Sequence, residues 1–151
     1  MKKLVACFSA EGTTLKEAKR LVKLSGADFF EIKPVTPYTK KDLNWLNPLS
    51  RSSKEMHKKT SRPELKEKLD NIDEYDTIYI GFPVWWYTCP HIICTFIESL
   101  DLSNKEVKVF FTSGSTEEKI IEKSMNNLYP NLVKSVKRFN NISDEEIKGW
   151  M

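Results

Sequence analysis

Residues 3–14 read Lys3-Leu4-Val5-Ala6-Cys7-Phe8-Ser9-Ala10-Glu11-Gly12-Thr13-Thr14, and the change of character within this stretch decides the fold. Lys3 to Phe8 is a short, mostly apolar run, as expected of a strand buried on both faces. Ser9 to Thr14 is small, polar and contains a glycine. Leu15, Ala18, Leu21 and Val22 then recur at helical spacing, and Ser25-Gly26 ends that pattern. Thr14-x-x-Glu17 has the form of a capping box and predicts the helix start. A strand thus feeds a helix through one polar turn.

Backbone N–H groups at a helix N-terminus have no helical partner, so such a turn can hold an anion. The hydroxyls of Ser9, Thr13 and Thr14 add neutral donors, and the turn contains no Lys or Arg. Glu11 must then point away from the anion. Taken alone, the segment serves equally well as a plain connection with a good N-cap. It lacks the Gly-Lys-Ser/Thr ending of a Walker loop and the GxGxxG dinucleotide fingerprint. A mononucleotide phosphate suits it better than NAD or a nucleoside triphosphate.

Strands and helices alternate onward from here. Asp28 to Ile32 reads as a second strand, Thr77 to Gly81 as a third, Val107 to Thr112 as a fourth and Leu132 to Phe139 as a fifth. Lys134, Lys137 and Arg138 suit the fifth to a sheet edge. Helices are predicted from Pro63 with Leu65, Leu69 and Ile72 on one face, over His91 to Leu100, and from Thr116 through Leu128. Ser143-x-x-Glu146 is a capping box that opens a last short helix. Residues 33–62 form an irregular insert broken by Pro34, Pro37 and Pro48, with Trp45 and Leu46 as its expected apolar anchors. A connection of this length inside a compact unit is commonly functional. The pattern predicts one α/β domain over residues 1–151, a three-layer sandwich around a five-stranded parallel sheet.

Ligands of such folds sit beyond the carboxyl ends of the strands, where the strand order reverses. Two further loops fall there. Gly81-Phe82-Pro83-Val84-Trp85-Trp86-Tyr87 follows the third strand, and three adjacent large aromatics cannot all enter one core. At least one is expected to be exposed, where a flat ring can stack on it. Thr112-Ser113-Gly114-Ser115-Thr116 follows the fourth strand; it is small and lets a ligand edge approach the backbone. One loop for a phosphate, one for a ring face and one for a polar ring edge together match flavin mononucleotide (FMN). A serine nucleophile is not expected, because neither His57 nor His91 is recognisably placed as its base.

These loops carry a resemblance. Phe8 to Thr14, Ile80 to Trp86, Asn47 to Met56, Ser61-Arg62-Pro63 and Phe111 to Gly114 resemble the flavodoxin family, in particular its short bacterial members with an insert after the second strand. The resemblance runs nearly end to end. It implies a flavodoxin-like sheet in the order 2-1-3-4-5. It assigns the FMN phosphate to Ser9, Gly12, Thr13 and Thr14, with Glu11 contributing backbone. It sets Pro83, Val84, Trp85 and Trp86 beside the flavin ring, with Tyr87 next to them. Thr112, Ser113 and Gly114 approach the ring from the other side. Family members often carry glycine where Tyr87 stands and continue the third loop in glycines, where this chain has Ser115-Thr116-Glu117-Glu118.

Composition narrows the remaining choices. The chain has 151 residues, 40% hydrophobic and 30% charged, with a formal net charge of +3. That is ordinary globular composition, without the basic footprint of a nucleic-acid binder. Residues 51–68 carry seven basic side chains (Arg51, Lys54, Lys58, Lys59, Arg62, Lys66, Lys68) against three acids, a net of +4, so the rest nets −1. This segment suits a solvated loop, or docking of an acidic partner or of the phosphates of NAD(P)H. Three cysteines, Cys7, Cys89 and Cys94, are an odd number in a chain large enough to fold without disulfides, and they fit a reducing cytoplasm. Cys89-Pro90-His91-x-x-Cys94 offers three ligand types, but it fits zinc spacing poorly and no metal is expected. Met1 to Cys7 is too short for an export signal. Thr77 to Ile97 is uncharged but interrupted by Gly81, Pro83 and Pro90, so no membrane segment is expected. The expected function is FMN-dependent electron transfer between redox partner proteins. The alternative is an FMN-dependent NAD(P)H oxidoreductase acting on quinones or similar acceptors.

Overall fold

The computed structural model describes residues 2–151. Five strands, β1 (Lys3–Cys7), β2 (Asp28–Glu31), β3 (Thr77–Pro83), β4 (Glu106–Thr112) and β5 (Val133–Arg138), form one sheet in the order β2-β1-β3-β4-β5. Every pairing is parallel. The helices are α1 (Thr13–Ser25), α2 (Arg51–His57), α3 (His91–Glu98), α4 (Glu118–Leu128) and α5 (Asp144–Trp150). The predicted class and strand order are those observed.

Strand periodicity divides the core in two, because successive side chains point to opposite faces. Leu4, Ala6 and Phe8, Ile78, Ile80 and Phe82, and Val107, Val109 and Phe111 face α3 and α4. Val5, Cys7, Tyr79 and Phe110 face the other way, against Ala18 and Leu21 of α1 and Ile147 of α5. Burying each large aliphatic or aromatic side chain contributes about 1.5–3 kcal/mol, so both faces must be covered for the sheet to be stable. At the centre Gly81 leaves room for Phe110: a Cβ there would lie 2.1 Å from that ring.

The ends of elements depart from the sequence expectations for local reasons. Gly12, at φ 97, is the N-cap of α1, with no side-chain capping bond. The expected Thr14–Glu17 capping box therefore does not form; Glu17 pairs with Arg20 at 2.7 Å. Gly26 at φ 72 ends α1 as expected, and Ser143 Oγ caps α5 by accepting from Glu146 N at 3.1 Å. β3 runs through Pro83, which stands opposite Thr112. No helix starts at Pro63. Leu65 pairs with Pro34 in an antiparallel bridge, with Val35 N donating to Glu64 O at 3.0 Å and Lys66 N to Lys33 O at 2.8 Å. Ile72 falls in a single 3₁₀ turn, Ile72–Glu74. A helix this short is marginal alone, and these backbone bonds to the insert outcompete it. The insert in turn contains α2, which Ser50 caps by accepting from Ser53 N. Its expected anchors are not buried: Trp45 is 69% exposed and Leu46 73%. Pro34 and Leu65 are buried instead, and the half-buried Tyr38 packs against the core. Among the described residues no helix is long and apolar enough to cross a membrane.

Candidate functional site

Parallel pairing brings the carboxyl ends of all five strands to one edge, and backbone bonds continue from the sheet into the loops. Phe8 N donates to Gly81 O at 3.0 Å, and Val84 N to Thr112 O at 2.9 Å. The loops after β1, β3 and β4 surround one cavity of about 710 Å³, within the usual range for small-molecule sites. Of the thirteen residues singled out from the sequence, Ser9, Glu11, Thr13, Thr14, Pro83, Val84, Trp85, Trp86, Tyr87, Thr112, Ser113 and Gly114 line it. Gly12 is not a lining residue; its left-handed backbone turns the chain into α1.

In the first loop, Ser9 Oγ accepts from Gly12 N at 3.0 Å and tightens the turn. The first-turn N–H groups of α1 lie at the cavity wall without a side-chain cap. Buried Thr14 Oγ1 lies 2.8 Å from Thr112 Oγ1, a bond between the first and third loops. Only one hydrogen sits between these two hydroxyls, so the other remains available as a donor.

The second loop is a tight hairpin. Trp85 N donates to Thr88 O at 3.0 Å and Thr88 N to Trp85 O at 3.1 Å. Its two central residues, Trp86 and Tyr87, have φ of 49° and 63°. Left-handed backbone at both positions is what a type I′ turn demands, and it normally selects Asn-Gly. The turn separates the aromatics. Trp85 is wedged edge-on between Phe8 (5.6 Å) and Tyr38 (5.2 Å). Trp86 is 36% exposed, with the His57 ring edge-on at 5.8 Å, while Tyr87 is 69% exposed.

The third loop is clamped from β5. Ser113 N donates to Asn140 Oδ1 at 2.9 Å, and Arg138 Nη2 donates to Ser113 O (3.0 Å) and Gly114 O (3.1 Å). A Cβ on Gly114 would meet nothing within 4 Å, so the protein's own packing does not require glycine there.

Sequence reasoning missed Ala10, Leu43, Trp45, Ser52, Thr116 and Asn140, which also line the cavity. Thr116 belongs to a loop already singled out, and Ala10 sits within the first. Leu43, Trp45 and Asn140 come from the insert and from beyond β5, where no motif marks a site; Ser52 falls within the Asn47 to Met56 stretch of the resemblance, which assigned it no role. The insert is held by Tyr38, whose ring lies 3.8 Å under the Arg51 guanidinium and whose hydroxyl donates to Glu55 at 2.5 Å. Burial first, then the Glu55 carboxylate, pushes the Tyr38 phenol up and keeps it protonated as that donor.

Among the described residues, Glu11 is the only Asp, Glu, Lys, Arg or His in the cavity lining. Cys89 and Cys94 lie outside it, buried with their sulfurs 4.0 Å apart. His91 turns away from them, its Nδ1 2.6 Å from Ser61 Oγ. Among the described residues no three His, Cys, Asp or Glu side chains gather as a metal site.

Comparison with known proteins agrees with this geometry. A flavodoxin family model matches residues 2–151. A candidate flavoprotein of Bacteroides eggerthii is 42% identical, with a TM-score of 0.95 over 99% of this chain and 94% of that one. One from Bacteroides uniformis is 47% identical, with a TM-score of 0.93 over 99% and 96%. A Lactobacillus acidophilus flavoprotein solved in complex with FMN is 24% identical, with a TM-score of 0.76 over 99% and 97%. No curated protein matches. On a family match spanning residues 2–151 and two close relatives, the chain belongs to the flavodoxin family.

Proposed function

We propose that this protein is a one-domain electron carrier that holds FMN in the cleft at the carboxyl edge of its sheet. The observation that carries the reading is the convergence of three chemically different loops on one cavity. The donor set fits the cofactor. A phosphate is matched by the first-turn amides of α1 and by the Thr13 hydroxyl, with the helix dipole in place of a cation. A tricyclic ring is matched by the Trp85–Trp86 wall and the Thr112–Gly114 backbone. The same fold in the Lactobacillus acidophilus flavoprotein, solved in complex with FMN, supports this choice of cofactor.

When bound, FMN supplies the redox chemistry, and the protein binds and orients it. Ser9 shapes the phosphate turn. The Thr14–Thr112 bond holds the first and third loops at a fixed distance. Trp85, locked by Phe8 and Tyr38, offers a rigid wall, whereas Trp86 and Tyr87 stand at the open rim. Lys54, Lys58, Lys59, Lys66 and Lys68 are exposed on the insert and after it, whereas Arg51 and Arg62 are paired with Glu55 and Glu98. The exposed lysines suit an acidic redox partner, and such docking weakens as salt is added. The unpaired thiols agree with action in the reducing cytoplasm.

Fluorescence titration with FMN tests the site: Thr13→Ala and Trp85→Ala each weaken binding, and affinities equal to wild type in both would remove the assignment. A second reading, an NAD(P)H oxidoreductase acting on quinones or similar acceptors, draws on one observation. Leu43 and Trp45 of the insert wall the same cleft and can shape a substrate pocket. Anaerobic mixing with NADPH or NADH separates the two. Rapid bleaching of the flavin selects the enzyme, and a persistent yellow colour selects a carrier fed by another reductase.

A further inference from the structure

The three serines of the α2 start differ in how their hydroxyls are used. Ser50 Oγ and Ser53 Oγ bond to each other at 2.9 Å, and Ser50 also caps the helix. Ser52 between them is 1% exposed, and its Oγ has no hydrogen-bond partner among the described residues. Its backbone is fixed, because Ser52 N donates to Asp42 O at 2.9 Å. Three other buried polar side-chain atoms lack partners, on Tyr79, Ser135 and Trp150, and none of those residues lines the cleft; Ser52 does. A buried hydroxyl without a partner is costly, and alanine would occupy the position without that cost. The insert's other contributions to the cleft wall are Leu43 and Trp45, apolar surface suited to a ring rather than to a polyol or phosphate. The insert also touches both tryptophans of the ring loop, Tyr38 against Trp85 and His57 against Trp86.

We propose that the Ser52 hydroxyl hydrogen-bonds to a heteroatom of the isoalloxazine ring, which makes the insert a working wall of the flavin site. This rests on the FMN reading above. The bond changes no covalent structure; it positions the ring and tunes the electron density of the atom it reaches.

The test compares wild type, Ser52→Ala and Ser53→Ala in three measurements: FMN affinity by fluorescence, thermal melting of the apoprotein, and nitrogen-15 resonances of labelled FMN at saturation. Ser52→Ala is expected to weaken FMN binding about fivefold to tenfold, to move the ring resonances, and to leave the apoprotein midpoint unchanged or higher. Ser53→Ala, which breaks a satisfied bond, is expected to lower the apoprotein midpoint and leave affinity and ring resonances as in wild type. Unchanged affinity in Ser52→Ala overturns the proposal. So does a loss of affinity with unmoved ring resonances, or a fall in its apoprotein midpoint matching that of Ser53→Ala. A wild-type protein that binds no FMN overturns the cofactor reading itself and the Ser52 contact with it.

Discussion

At the residue scale, the site depends on backbone conformations that most side chains resist. Gly12 sits at φ 97 with nothing near its missing Cβ, so its role is conformational and not steric. Gly12→Ala is expected to lower apoprotein stability by about 1–2 kcal/mol, the usual cost of a strained left-handed residue. Denaturant unfolding measures this. Gly114→Ala is the control: its surroundings are open and its φ is not positive, so its apoprotein stability should match or slightly exceed wild type. Gly12 was legible as part of the turn from Ser9 to Thr14. Its displacement of the capping box was not, because Thr14 is drawn to Thr112, a partner 98 positions away in sequence. Trp86 and Tyr87 illustrate the same limit. Their crowding predicted exposure, but the left-handed turn that sorts Trp85 inward and Tyr87 outward depends on Phe8 and Tyr38 closing around Trp85.

At the element scale, the insert is attached to the sandwich by polar bonds as well as by packing. Ser61 Oγ lies 2.6 Å from Glu55 O and 2.6 Å from His91 Nδ1. The carbonyl can only accept, so Ser61 donates to it and the His91 Nδ1–H donates to Ser61. Burial, and then the Arg62 guanidinium, pull the His91 pKa below its ordinary 6.5. A histidine with a depressed folded pKa binds fewer protons folded than unfolded, so stability rises with pH across that window. The contribution is present above pH 6.5 and is lost as pH falls toward the lowered value. Urea unfolding between about pH 7.5 and about pH 5.5 should show this loss in wild type and a flatter profile in His91→Asn. An equal slope in both would remove His91 as the cause. The Pro63 helix was misread for a related reason. Leu65 and Leu69 have helical spacing, but the insert supplies extended backbone partners at Lys33 and Val35 that local pattern does not reveal.

At the scale of the whole molecule, the apolar runs and the alternation of elements carried the parallel three-layer class, because parallel crossovers leave few arrangements; the strand order came from the resemblance to the flavodoxin family. The same order explains why the loops after β1, β3 and β4 meet. What could not be read was the insert's return over the cleft, which brings Leu43, Trp45 and Ser52 to the cavity through tertiary contacts alone. The charge around the cavity has a redox consequence. Among the described residues its lining has Glu11 and no Lys, Arg or His, and the Arg138 charge is spent on loop carbonyls. Adding electrons to a flavin that already carries a phosphate is disfavoured where no cation answers them. The reduction potential of bound FMN is expected to lie below that of free FMN by spectroelectrochemical titration, and a value equal to or above it would contradict this field.

The most direct test is a crystal structure of the protein soaked with FMN. The phosphate should sit on the amides of the Ser9–Thr14 turn, with the ring between the Trp85–Trp86 wall and the Thr112–Gly114 backbone. A cleft without flavin density, or one filled by the indoles themselves, would contradict the account.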